Sequence, residues 1–171
     1  MTDAPDIPRP SQLWKQLPAD RRQLAAVAFW NDENAAAEQA EAIVTIAQRI
    51  KFRPKSVIAL PVDKKARYLV SLPAVSELVA ARLLVAYHLD QQRPMMGSFL
   101  DALGVAHENG LIADEEMPPP SEEQLKTAAA AIAKLYPAED VALYLSTLMW
   151  QDPATWGGLS AAPEHRMPTQ A

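Results

Sequence analysis

The chain has 171 residues, including 15 prolines, five glycines and no cysteine, and its formal net charge is −5. The absence of cysteine excludes disulfides, thiolate catalysis and cysteine-ligated metal sites. No basic amino-terminal region precedes an apolar run, and no segment approaches the ~20 apolar residues of a membrane span. We therefore expect a soluble, cytoplasmic protein without membrane contact.

Apolar residues at helical spacing predict a series of amphipathic helices separated by prolines. The clearest lies at 35–50, where apolar residues recur at i, i+3, i+4 and i+7: Ile43, Ile46, Ala47 and Ile50. Residues 74–89 are apolar nearly all round, so we expect them to form the most buried helix. Ser121 and Gln124 have the spacing of a capping box, which predicts that a helix begins there.

The composition, rich in alanine and poor in glycine, favours helix over sheet, and no segment alternates convincingly like a strand. The sequence predicts an all-α protein, a compact bundle of about 7–9 short helices. We expect a flexible amino-terminal tail at 1–10 and a single domain at 11–158, with a Pro-rich linker at 117–120 inside it. A flexible carboxyl-terminal tail is expected at 159–171.

Short sequence signatures recur along the chain. Arg-Pro occurs at 9–10, 53–54 and 93–94, and two of these copies precede LPADRR (17–22) and LPVDKK (60–65). The spacing of about 40–44 residues lies in the range of helical-repeat arrays. Two interpretations stay open: degenerate helical-repeat units, or one favourable helix start used twice in an irregular bundle.

The stretch FLDALGVAHENGLI at 99–112 contains a histidine and a glutamate, but its pattern is that of a helix end. A helix ending at Leu103, followed by Gly104 in a left-handed conformation and by an apolar residue, is a Schellman-type stop. Asn109 and Gly110 then suit a turn with positive φ. The alternative is a ligand or metal pocket that combines four polar side chains: Arg82, His88, His107 and Glu108.

Charge is distributed unevenly along the chain. Residues 49–67 hold seven basic residues against Asp63 alone, whereas residues 101–140 hold nine acidic residues against two lysines. The basic segment also contains Phe52, so it is a candidate for contact with a protein or a polyanion. Alternatively, its charges are solvated or paired with the acidic region. A pI near 5.2 argues against nucleic acid as the partner.

The sequence has no glycine-rich phosphate loop, nucleophile elbow, paired-histidine metal motif or dinucleotide fingerprint, so it indicates no catalytic residue, cofactor or metal. Our leading hypothesis is a non-catalytic module for protein–protein interaction or self-association. The expected interaction residues are basic or aromatic: Arg49, Lys51, Phe52, Arg53, Lys55, Lys64, Lys65 and Arg67. One alternative is a small-molecule or metal-binding protein, or an enzyme, using Arg82, His88, His107 and Glu108. Another is polyanion or nucleic-acid binding through 49–67.

Overall fold

The computed structural model describes residues 7–113 and 116–167. These residues form ten α-helices, two short 3-10 helices and one two-stranded hairpin, which confirms the all-α class. None of the described helices is long and apolar enough to cross a bilayer. The chain packs as two compact units, an N-terminal unit of residues 9–91 and a C-terminal unit that combines residues 7–8 with the described residues from 92 onward.

The N-terminal unit is built from six helices. They are α1 (Pro10–Gln16), α2 (Ala19–Trp30), α3 (Ala36–Ile50), α4 (Pro54–Ile58), α5 (Val62–Ser71) and α6 (Glu77–Gln91). Helix α2 packs against both α5 and α6, while α3 contacts α4, α5 and α6. The core of this unit contains Phe29, Leu69 and Leu83, which come from α2, α5 and α6 and are fully buried.

Proline placement explains where several helices begin. Pro18, Pro61 and Pro137 are each the N-cap of a helix, with φ of −58° or −57°. Pro10 and Pro54 are the first residues of α1 and α4. An N–H at this position has no partner within the helix, so proline, which lacks one, costs no hydrogen bond there. The two Leu-Pro-x-Asp segments therefore start α2 and α5 in the same way, and common descent of these segments stays a prediction.

The C-terminal unit contains four α-helices and the hairpin. They are α7 (Arg93–Leu103), β1 (His107–Glu108), β2 (Leu111–Ile112), α8 (Glu122–Ala133), α9 (Ala138–Gln151) and α10 (Pro153–Trp156). Helix α8 packs against α7 and α9. Phe99 lies at the centre of an aromatic cluster, with ring centroids 5.5 Å from Tyr144 and 5.9 Å from Trp156. The predicted capping box is present, because Ser121 Oγ accepts the Gln124 N–H.

The most buried helix is α9, not the helix predicted over 74–89. Nine of the residues of α9 are buried, against seven in α6. The difference arises because α9 buries polar residues whose hydroxyls have backbone partners. Ser146 Oγ donates to the His165 carbonyl at 3.1 Å, and Thr147 Oγ1 donates to the Leu143 carbonyl at 2.7 Å. Such hydrogen bonds remove most of the cost of burying a hydroxyl.

The segment expected to be a carboxyl-terminal tail is packed where the structure describes it. Residues 157–161 and 163–165 form the two 3-10 helices, which contact α8 and α9. Leu159 and Ala162 are fully buried. The sequence suggested a tail because the segment lacks helical periodicity, yet its two buried apolar side chains and the hydrogen bond from Ser146 to the His165 carbonyl hold it on the unit. The remainder, 168–171, and residues 1–6 of the amino-terminal tail lie outside the described residues.

The single domain expected at 11–158 stays a prediction. The boundary between the two compact units falls between α6 and α7, which are separated by Gln92 alone. The Pro-rich linker at 117–120 lies instead inside the C-terminal unit, between β2 and α8. The linker could be predicted from composition because consecutive prolines interrupt a helix. The boundary between the two units depends on how the helices pack, so composition does not predict it.

Leu83 and Leu78, both on α6, provide a matched test of the N-terminal core. Leu83 is fully buried, whereas Leu78 is 71% exposed. Leu83→Ala should lower the free energy of unfolding by about 2–5 kcal/mol because it leaves a cavity. Leu78→Ala should change it by less than about 0.5 kcal/mol. Urea denaturation followed by circular dichroism measures both, and equal effects would contradict this core.

Helix α1 is joined to α6 by hydrogen bonds from Ser11 to Glu77. The Ser11 N–H donates to Glu77 Oε2 at 3.0 Å, and Ser11 Oγ donates to Oε1. Partial desolvation acts to raise the pKa of the Glu77 carboxyl. The Ser11 hydrogen bonds and the charges of Arg9 and Lys15 act against it, and the net result is a pKa below the usual 4.5. Because the folded-state pKa is depressed, this contribution to stability is present above pH 4.5 and is lost as pH falls through the folded-state pKa.

Ser11→Ala should therefore destabilise the protein in a pH-dependent way. At neutral pH we expect a loss of about 1 kcal/mol of unfolding free energy, because a carboxylate loses its donor. The loss should shrink well below pH 4.5, where the carboxyl is protonated. Ser56→Ala, at an exposed serine in the first turn of α4, is the control and should show no such pH dependence. A Ser11→Ala effect that is equal at both pH values would refute the assignment.

Candidate interaction surface

The basic residues predicted to interact lie on α3, α4, α5 and the connection between α3 and α4, all within the N-terminal unit. Seven of the eight predicted side chains are exposed: Arg49, Lys51, Phe52, Arg53, Lys55, Lys64 and Arg67. The exception is Lys65, whose ammonium lies 5.0 Å from the centroid of the Trp30 ring. This cation–π contact gives Lys65 a structural partner. We call residues 49–58 the basic joint, because four of the cations fall within these ten consecutive residues.

The backbone of the basic joint is held by hydrogen bonds at the end of α3. Lys51 adopts a left-handed conformation, with φ 58° and ψ 39°, and its N–H bonds the Ala47 carbonyl. The Phe52 N–H donates to the same carbonyl at 3.0 Å. Arg53 is the N-cap of α4 and Pro54 is its first residue. The joint is therefore a defined reversal between two helices, not a loose connection.

The cations of the basic joint are not neutralised within their own unit. Throughout the described residues 9–91, no carboxylate lies within 4.0 Å of the charged nitrogens of Arg49, Lys51, Arg53 or Lys55. Residues 49–58 contain no acidic residue at all. The four cations thus produce a local positive potential, which attracts anionic groups over roughly a Debye length of about 8–10 Å.

Two large apolar side chains are exposed among these cations. Phe52 is 46% exposed and Ile58 is 55% exposed, while the neighbouring Val57 is fully buried. Ile58 was not among the predicted interaction residues. The local sequence holds no signal for this exposure, because adjacent residues of a helix can both be buried, as Leu83 and Leu84 are in α6. Valine takes the inward position, so Ile58 faces solvent.

Of the predicted pocket residues, Arg82 and His88 lie on α6 and contact different groups. Arg82 Nε is 3.8 Å from Glu38 Oε1 of α3. His88 is buried, and its Nδ1 lies 2.7 Å from the Leu84 carbonyl, so this nitrogen carries the proton and donates. The two residues are six apart on one helix and do not converge on a common point.

The other two predicted pocket residues, His107 and Glu108, are neighbours in β1. His107 Nδ1 accepts the Gly110 N–H at 3.1 Å, so the proton is on Nε2, which donates to Asp101 Oδ1 at 2.7 Å. Glu108 is exposed, and successive strand residues point to opposite faces. His107 Nδ1 thus closes the turn of the hairpin, and Nε2 connects the hairpin to Asp101 of α7.

The backbone of the 99–112 stretch matches the helix-end interpretation. Gly104 has φ 72°, and the Val105 N–H donates to the Leu100 carbonyl at 3.0 Å, which completes the Schellman-type stop. Asn109 and Gly110 have φ of 52° and 87° and connect the strands as a two-residue turn. Two consecutive positive φ values are the requirement of a type I′ hairpin. Gly110 is needed for a second reason, since a Cβ there would lie 2.9 Å from Met96 Cβ.

The open clefts among the described residues include two that contain no residue of the predicted pocket. A cleft of about 260 Å³ in the N-terminal unit lies between the carboxyl ends of α2 and α6 and includes Asp32 and Asp90. A groove of about 320 Å³ in the C-terminal unit includes Val141, Pro163 and Glu164. Among the described residues, no group of three or more His, Asp or Glu side chains is arranged to hold a metal ion.

Comparison of the chain with protein-family models, with curated proteins and with solved structures found no match. The function therefore has to be argued from the chemistry of the surface itself. The basic joint is the strongest candidate, because its cations have no carboxylate partner in the described part of their unit and lie beside exposed apolar side chains on a backbone of defined conformation.

His107→Ala tests the structural role of this histidine. The variant removes the acceptor of the Gly110 N–H and the donor to Asp101, so the free energy of unfolding should fall by about 1–2 kcal/mol. Glu108→Ala is the matched control on the adjacent, exposed residue and should stay within about 0.5 kcal/mol of the wild type. Urea denaturation measures both variants. A His107→Ala protein as stable as the control would contradict the role.

Proposed function

We propose that this chain is a cytoplasmic protein-interaction module that binds an acidic, partly apolar segment of a partner protein at the basic joint. The observation that carries the proposal is the combination of four cations, which have no carboxylate partner among the described residues of their unit, with two exposed apolar side chains, Phe52 and Ile58. A site of ten residues is smaller than the ~20–30 residues per side of a standard interface. It suits a short partner segment and a transient contact.

Helix electrostatics account for only part of this charge. Arg49 and Lys51 lie at the carboxyl end of α3, where the helix dipole favours a cation by about 0.3–1 kcal/mol. Arg53 is the N-cap of α4, where the dipole favours anions instead, whereas Lys55 lies in the last turn of this five-residue helix. The helix dipole therefore does not explain the charge of Arg53, and a requirement to bind a carboxylate-bearing partner would explain it.

The apolar side chains favour a protein over another polyanion. Phe52 and Ile58 offer apolar surface that a partner could bury for roughly 25 cal/mol per Å². A nucleic acid could use the cations and stack a base on Phe52, but Ile58 offers it no stacking surface. The N-terminal unit has twelve basic and eight acidic residues, a modest excess for a nucleic-acid-binding domain. An acidic segment with leucine or phenylalanine side chains complements both features of the joint.

Charge reversal in the basic joint tests the proposal. The probe is a fluorescently labelled peptide in which glutamates flank leucines, titrated with the full chain and followed by fluorescence anisotropy. Arg53→Glu combined with Lys55→Glu should weaken binding at least about tenfold, because two attractions become repulsions. Lys15→Glu combined with Lys134→Glu is the control, since it changes the net charge equally at two exposed lysines outside the joint.

Further probes separate the competing interpretations. A peptide with serine in place of leucine should bind more weakly than the parent peptide, and a labelled DNA duplex should bind more weakly still. Equal loss of binding in both double variants would mean a non-specific charge effect and would contradict the proposal. Tighter binding of the duplex would favour the polyanion alternative. Sedimentation equilibrium of the chain alone tests whether the partner is a second copy.

A further inference from the structure

Lys51 occupies a backbone conformation that glycine normally takes. Among the described residues, four have clearly positive φ: Lys51, Gly104, Asn109 and Gly110. Glycine reaches this region without steric cost, and asparagine tolerates it better than most other residues. Lysine gains no such tolerance from its side chain. It is therefore the one member of this group whose identity the backbone does not explain.

The end of α7 has the same backbone motif as the end of α3, with glycine in place of lysine at the left-handed position. Gly104 ends α7 as Lys51 ends α3, each with positive φ and each followed by a residue whose N–H bonds a carbonyl five positions back. A Cβ at Gly104 would meet no atom within 4 Å, so glycine is favoured there by the backbone alone. Lys51 adopts the same left-handed conformation, and its side chain is exposed.

The helix dipole does not require lysine at this position. A cation near the carboxyl end of a helix is favourable, but Arg49 already supplies one in the last turn of α3. The side chain of Lys51 has no carboxylate partner within the described N-terminal unit. Lysine therefore sits where glycine would give a more stable helix end, directly before the exposed Phe52.

We propose that Lys51 is the anchoring cation of the basic joint, retained against the backbone preference for glycine because its ammonium pairs with a carboxylate of the bound segment. The inference rests on the proposed function and deepens it. The left-handed turn presents Lys51 and Phe52 consecutively, so the bound segment brings a carboxylate next to an apolar side chain. Outlying backbone conformations of this kind are retained preferentially at functional positions.

Substitutions at one position separate stability from binding. Lys51→Gly and Lys51→Asn remove the charge and suit the left-handed conformation, while Lys51→Arg keeps the charge. We expect Lys51→Gly to raise the urea midpoint and to weaken binding of the glutamate–leucine peptide at least fivefold. Lys51→Asn should also weaken binding, and Lys51→Arg should bind as the wild type does. Gly104→Lys is the mirror control, which should lower the midpoint and leave the affinity unchanged.

The outcomes distinguish this inference from the function on which it rests. If Lys51→Gly binds the peptide as tightly as the wild type, or fails to raise the urea midpoint, the inference is overturned. If the Arg53 and Lys55 reversals still abolish binding in that case, the proposed function stands. A wild-type chain that does not bind the peptide overturns both. Because Lys51→Gly is expected to be more stable, its loss of binding cannot be attributed to unfolding.

Discussion

The reversal of the chain at the end of α3 is the constraint on which the candidate surface depends. Two N–H groups share the Ala47 carbonyl, and Lys51 takes the left-handed conformation that makes this possible. The reversal separates α3 from α4 by three residues, and four cations lie within the ten consecutive residues 49–58 that span it.

The charged residues of the joint differ in their contacts from Arg82 and Glu77 elsewhere in the N-terminal unit. Arg82 and Glu77 have partners that tie helices together, namely Glu38 for the arginine and Ser11 for the glutamate. The first is an ion pair and the second a pair of hydrogen bonds, and both join helices within the unit. Within the described residues of the N-terminal unit, the cations of the joint have no carboxylate partner, so in the free protein they are solvated and repel one another. In the proposed complex, a carboxylate of the bound segment would relieve that repulsion and would have to offset the desolvation of the cations.

Local sequence signals predicted the helix ends well, whereas long-range packing escaped prediction. The Ser121 capping box and the Gly104 stop were correct because each depends on a few consecutive residues. The packing of Leu159 was missed, since burial of a lone apolar residue depends on helices far away in sequence. The candidate site was likewise predicted where local sequence was sufficient and missed where packing decides. Composition identified the cations, but the exposure of Ile58 and the cation–π contact of Lys65 required the fold.

The central claim is that the joint itself is the contact surface, and a residue-resolved map tests it most directly. We would record ¹H–¹⁵N correlation spectra of the full chain during titration with the unlabelled glutamate–leucine peptide. The account predicts saturable shift changes concentrated in the amides of residues 49–58, with little change in the C-terminal unit. Absence of shifts at saturating peptide, or changes centred outside the joint, would contradict it.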